Sequence, residues 1–94
     1  MSTTIINKYK TVIPADAVFI GRPSKWGNPF RIGVHGTRAE VIKKYENWIR
    51  IQPQLMNSLH ELQDKTLVCY CKPLPCHGDI LIKLLGELSS HNNT

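Results

Sequence analysis

The stretch TLVCYCKPLPCHGDILIKLLGEL, residues 66–88, decides how this chain folds. Residues 66–71 are nearly all apolar and rich in strand formers, as a central strand covered on both faces would be. Pro73 and Pro75 end that run. From about 78 to 88 the period changes: Ile80, Leu81, Leu84, Leu85 and Leu88 recur at helical spacing and make one apolar face. A strand, a proline-bearing loop and a helix in succession form the unit found at ligand sites of Rossmann-like folds. There the ligand sits beyond the carboxyl ends of the strands.

Upstream, Asp64-Lys65 turns the chain into this strand. The clearest helix covers about 38 to 51. Thr37 and Glu40 stand at capping-box spacing, and Val41, Ile42, Tyr45, Trp48 and Ile49 form its apolar face. Glu40–Lys44 and Glu46–Arg50 read as i,i+4 pairs on its wet side. Pro53 suits the first turn of a shorter helix to about 62, carrying Leu55, Met56, Leu59 and Leu62. Short strands are expected at 3–9, as an edge, and at 17–20, where Gly21 stops the run. The order strand, strand, helix, helix, strand, helix predicts an α/β fold: a small Rossmann-like sheet with helices packed on it. One domain spans 1–88, and 89–94 is a flexible polar tail.

Ninety-four residues allow a single domain with a lean core, so self-association as a homo-oligomer is reasonable. With 41% hydrophobic and 20% charged residues the composition is that of an ordinary globular chain, which excludes wholesale disorder and a collagen-like fibre. No apolar run approaches the roughly 20 residues of a spanning helix, so no membrane partner is expected. The opening segment lacks a signal core, and the expected location is the cytoplasm. A net charge of +5 favours anionic partners, a nucleotide or another phosphate-bearing ligand first. The longest basic run is Lys43-Lys44, so a nucleic-acid interface ranks lower. All three cysteines, Cys69, Cys71 and Cys76, fall between 69 and 76. That clustering points to a site or a buried strand rather than a disulfide framework.

The Cys69 to Asp79 segment holds most of the candidate chemistry. Cys69 and Cys71, two apart on a strand, point to the same face, and Cys76 and His77 stand where the last helix begins. A thiol at a helix N-terminus is expected to have a lowered pKa. Three readings compete here. In the first, small buried thiols pack under the helix and His77 caps it. In the second, free N–H groups around 76–79 form the floor of an anion pocket with Cys76, His77 and Gly78 as contacts. In the third, Cys69, Cys71, Cys76 and His77 hold zinc, although adjacent ligands reach one tetrahedral metal with difficulty. As an enzyme, the site would use Cys76, His77 and Asp79, the single carboxylate near the cysteines. The loop 21–30, GRPSKWGNPF, is the second candidate. Arg22 and Lys25 can meet phosphates, Ser24 and Asn28 offer polar contacts, Trp26 a stacking face, and Gly27 close backbone approach. The bland alternative has Trp26 and Phe30 plugging the core.

The loop 21–30, the Thr37 helix with Tyr45 and Trp48, and the segment from Leu67 to Asp79 together resemble a family of small phage and bacterial proteins known as a domain of unknown function. The resemblance covers roughly 18–85 and implies that both motifs belong to one compact site. The Cys-His turn is also similar to a second uncharacterised α/β family with a Cys-His-Arg ending, where this chain has Gly78. More loosely, the layout is similar to nucleotide-binding Rossmann-like proteins that include cytokinin-releasing enzymes and nucleotide sensors, without their glycine-rich acidic motif. The leading expectation is a non-catalytic module that binds a nucleotide-derived small molecule. In a phage it would act in the host cytoplasm by sequestering an immune signal. The alternatives are an enzyme acting on nucleosides or nucleotides and a protein- or nucleic-acid-binding inhibitor.

Overall fold

The computed structural model describes residues 3–9, 12–70 and 74–92. Its strands are β1 (Thr4–Asn7), β2 (Val18–Phe19) and β3 (Thr66–Cys69), and its helices α1 (Arg38–Arg50), α2 (Pro53–Ser58) and α3 (Gly78–Asn92). A 3-10 turn, Leu59–Leu62, continues α2, so the second expected helix is split into two kinds of turn. The strands form one parallel sheet in the order β1-β3-β2. The chain is thus a small α/β domain. Thr4 pairs with Thr66 and Asn7 with Cys69 on one side of β3, and Val18 pairs with Leu67 and Phe19 with Val68 on the other. Leu67, Val68 and Cys69 are all buried, as a strand with neighbours on both edges and layers on both faces requires.

The Thr37–Glu40 capping box closes as expected: the Glu40 N–H donates to Thr37 Oγ1 at 3.3 Å, and the Thr37 N–H donates to Glu40 Oε1 at 2.8 Å. Helix α1 buries Val41, Tyr45 and Ile49, and α3 buries Ile80, Leu81, Leu84 and Leu85. All of these but Val41 meet Leu59, Leu62 and Leu67 in a single core. Helix α3 runs to Asn92, beyond the end expected near Leu88. Glu46 is a correction. Instead of lying on the wet side of α1, its side chain is 8% exposed, and one oxygen accepts from Arg50 at 2.7 Å and Lys83 at 2.9 Å. Lys83 comes from α3, so the carboxylate joins two helices that the sequence pattern treated separately.

Candidate functional site

All strands being parallel, β2 and β3 end on the same side of the sheet. The chain leaves β2 through Ile20, Gly21 and Arg22. It leaves β3 at Cys69 and Tyr70, then returns through Pro75 and Cys76 into α3. Between these exits lies a cavity of about 490 Å³. Its floor is Cys69, Cys76 and His77; Val41 and Ile42 of α1 form one wall. Phe30, Ile32 and Val34, from the segment leading into α1, form another. Gly33, at φ +88°, takes the left-handed conformation that turns this segment back on itself, with the Gly33 N–H donating to the Gly36 carbonyl at 2.8 Å. Arg22, Arg31 and Arg38 also line the cavity, and among the described residues no carboxylate does.

The floor is chemically quiet. Cys69 Sγ and Cys76 Sγ lie 3.6 Å apart, both buried as free thiols. Burial pushes the Cys76 thiol up to about 12, and the neighbouring Cys69 adds to that push. The Gly78 N–H at the start of α3 pulls the other way and does not prevail. The expected lowering by the helix N-terminus is therefore corrected: desolvation outweighs the helix end. Asp79 is turned inward on the backbone, its Oδ2 accepting from the Cys76 N–H at 3.1 Å, as a capping residue does. His77 Nε2 donates to the Ile20 carbonyl at 2.7 Å, a pairing that fixes the tautomer because a carbonyl only accepts. Burial lowers the His77 pKa, and the Arg22 charge lowers it further against the opposing effect of the Ile20 bond. The ring stays neutral and packs edge-on against Tyr45 at 5.0 Å.

The loop 21–30 divides into cavity residues and core residues. Arg22 stands on the cavity wall beside Cys76 and His77, its Nη1 donating to the Asn28 carbonyl at 2.7 Å. Asn28 also lines the cavity, but its amide is committed to the fold. Nδ2 donates to the Val41 carbonyl at 3.1 Å and Oδ1 accepts from the Phe30 N–H at 2.9 Å, so the fold fixes the amide's orientation. Trp26 is 2% exposed and sits in the core, with its carbonyl accepting from Tyr45 Oη at 2.8 Å. No stacking face remains, which corrects that expectation. Lys25 lies over the Trp26 ring and pairs with Glu61 at 2.8 Å, away from the cavity. Ser24 Oγ accepts from the Trp26 N–H at 3.3 Å inside the turn. A Cβ on Gly27 would stand 3.0 Å from Arg22 Cα, and one on Gly78 would stand 2.8 Å from the Ile20 and Ile5 methyls. Both glycines serve close packing of the chain on itself. Cys71 lies outside the described residues. Among the described residues no group of three or more His, Cys, Asp or Glu side chains is arranged to hold a metal.

Arg31, Arg38 and Tyr70 were not singled out in the sequence. Arg38 carried a usable signal: it is the first residue of α1, where the helix dipole disfavours a cation unless an anion is near. Arg31 and Tyr70 carried none, because nothing local distinguishes them from solvated side chains.

The family of domains of unknown function DUF4326 matches residues 5–87. The chain is also similar to the uncharacterized 12.4 kDa protein in the nrdA-td intergenic region of Enterobacteria phage T4. The two are 33% identical over 89 residues, which cover 89% of this chain and 78% of that protein. No solved structure matches the chain. The span 5–87 takes in the sheet, the loop 21–30 and the Cys76–His77 turn, so the chain with its cavity belongs to the DUF4326 family.

Proposed function

We propose that this protein binds a small nucleotide-derived or other phosphate-bearing molecule in the cavity beyond β2 and β3, and does so without transforming it. The observation that carries the reading is the cavity's composition and place. About 490 Å³ lies at the carboxyl ends of parallel strands, with apolar walls and the Arg22 guanidinium on one side. Such a volume suits a ligand of nucleotide size, and a guanidinium holds a phosphate bidentately. A thiol that keeps its proton is a poor nucleophile, and among the described residues no carboxylate lines the cavity to serve as acid or base, which favours holding over turnover.

The test is a thermal-shift screen against nucleosides, nucleotides and cyclic dinucleotides, followed by product analysis of any that bind. A ligand at 100 times its Kd adds about 2.7 kcal/mol, which for a domain of this size raises the midpoint by about ten degrees or more. Stabilisation with the ligand recovered unchanged is the expected result. No shift with any of them at millimolar concentration defeats the nucleotide reading, and recovery of a converted product favours an enzyme. The phage source of the relative places cyclic dinucleotides in the set: a protein that holds a nucleotide without consuming it would withdraw a host signal.

A further inference from the structure

The cavity carries positive charge that the protein itself does not answer. Among the described residues outside the cavity, Lys25, Arg50, Lys65 and Lys83 are paired with carboxylates, while Lys8, Lys43 and Lys44 lie apart from the cavity without one. Arg50 pairs with Glu46 and Glu87, Lys83 with Glu46, and Lys25 with Glu61. Arg22, Arg31 and Arg38 all line one cavity, and among the described residues none of them has an ion pair. The carboxylates nearest in sequence are engaged, Glu40 by the Thr37 cap and Asp79 by the Cys76 N–H.

Two of the guanidinium groups are aimed by backbone carbonyls rather than neutralised. Arg22 Nη1 donates to Asn28 O at 2.7 Å, and Arg38 Nη1 donates to Pro75 O at 3.1 Å. Each contact uses one arm of the fork and leaves the remaining donors for an acceptor. A carbonyl orients a guanidinium without cancelling its charge, so the orientation is fixed in advance of binding. Arg38 also stands at the first position of α1, a place that a cation occupies at a cost unless an anion joins it. Ile32, Val34 and Tyr70 line the same cavity as the arginines and are 52%, 73% and 44% exposed, which leaves apolar side chains within it for a planar ring to meet.

Resting on the reading of this cavity as a nucleotide site, we infer that its ligand class is nucleotides bearing adjacent phosphates, as in a nucleoside diphosphate, recognised by Arg22, Arg31 and Arg38 together. A nucleoside monophosphate brings a charge of about −1.5 to −2. That leaves part of the arginine charge unanswered, whereas a diphosphate nearly balances it. The base lies against the Ile32, Val34 and Tyr70 surface, and the phosphates lie among the guanidinium groups.

Calorimetry at pH 7.5 and constant salt separates the parts of this inference. The ligands are the nucleoside, monophosphate and diphosphate of adenine, guanine and uracil, with inorganic pyrophosphate as the base-free probe. For at least one base, affinity should rise about tenfold or more from nucleoside to monophosphate and again to diphosphate, as charge-assisted hydrogen bonds accumulate. Pyrophosphate alone should bind, and Arg31→Gln with Arg38→Gln should erase the step from monophosphate to diphosphate. Neither position is buried, so the variant should still fold, and a cooperative melting transition with an unchanged circular-dichroism spectrum serves as the folding control. Equal affinity for mono- and diphosphates, or a step that survives the double variant, overturns the inference while leaving the nucleotide reading intact. Binding of pyrophosphate but of no nucleotide keeps the arginine assignment and defeats the nucleotide reading. Silence from every probe defeats both.

Discussion

Cys76 and His77 are adjacent, and burial acts on both in the same sense: each is held in its uncharged form. For Cys76 this predicts slow alkylation of the folded protein at pH 8, rising only as the pH approaches about 12, with rapid labelling once urea unfolds the chain. Mass spectrometry after iodoacetamide pulses reads this directly, and fast labelling of the native Cys76 at pH 8 would contradict it. For His77 the sign follows from linkage. Its folded pKa lies below the ordinary 6.5, so as pH falls through 6.5 the unfolded chain takes up a proton that the folded chain refuses. Stability should therefore decline below pH 6.5. Urea titrations at pH 7.5 and 5.5 measure the decline, and a His77→Gln variant should lose it over that interval. If the pH slope is unchanged in His77→Gln, another group is responsible.

Helices α1 and α3 are joined by the buried Glu46 carboxylate, which accepts from Arg50 on its own helix and Lys83 on the other. Hydrogen bonds from Arg50 and Lys83 hold its carboxyl well below the usual range, at about 2. A depressed carboxylate stabilises the fold above the unfolded value near 4.5, and that contribution is lost as pH falls toward 2. Glu46→Ala should cost about 1–3 kcal/mol at pH 7 and much less at pH 2, since it removes bonds between charged groups. The difference between wild-type and variant stability at the two pH values is the measurement, and a cost independent of pH would show that the loss is one of packing. Tyr45 provides the corresponding tie between α1 and the loop 21–30, its hydroxyl donating to the Trp26 carbonyl. Tyr45→Phe keeps the ring and leaves that carbonyl without its donor. The expected destabilisation is about 1–3 kcal/mol, read from chemical denaturation. A neutral result would mean that water replaces the hydroxyl.

At the scale of the molecule, β3 is the member on which the rest depends, because both other strands pair with it and helices cover it. Leu67 is fully buried there, and Leu67→Ala should cost about 2–5 kcal/mol. A small domain has about 5–15 kcal/mol in all, so this variant should melt far below the wild type, and a change of only a few degrees would show that β3 is not so central. The α/β class was legible in the sequence, because local chemistry sets its parts. Alternation of period marked β3 and α3, the apolar stripe marked α1, and the Thr37–Glu40 spacing marked its start. Arg22, Cys69, Cys76 and His77 were legible as residues near one site because each lies close to a strand end or a helix start, and Asn28 because it shares the proline- and glycine-bearing loop with Arg22. Which of their atoms are free was not legible. Burial depends on partners far along the chain: the Tyr45 hydroxyl donates to the Trp26 carbonyl, the Val41 carbonyl accepts from the Asn28 amide, and the Ile20 carbonyl accepts from His77 Nε2. Only the tertiary structure decided that the strands run parallel in the order β1-β3-β2. That arrangement brings the exit from β2 beside the exit from β3, and sets Arg31 and Arg38 across the same cavity as Arg22. Sequence spacing carries periodicity and capping, which act over a few residues, whereas the convergence of distant side chains on one space is a property of the packed whole.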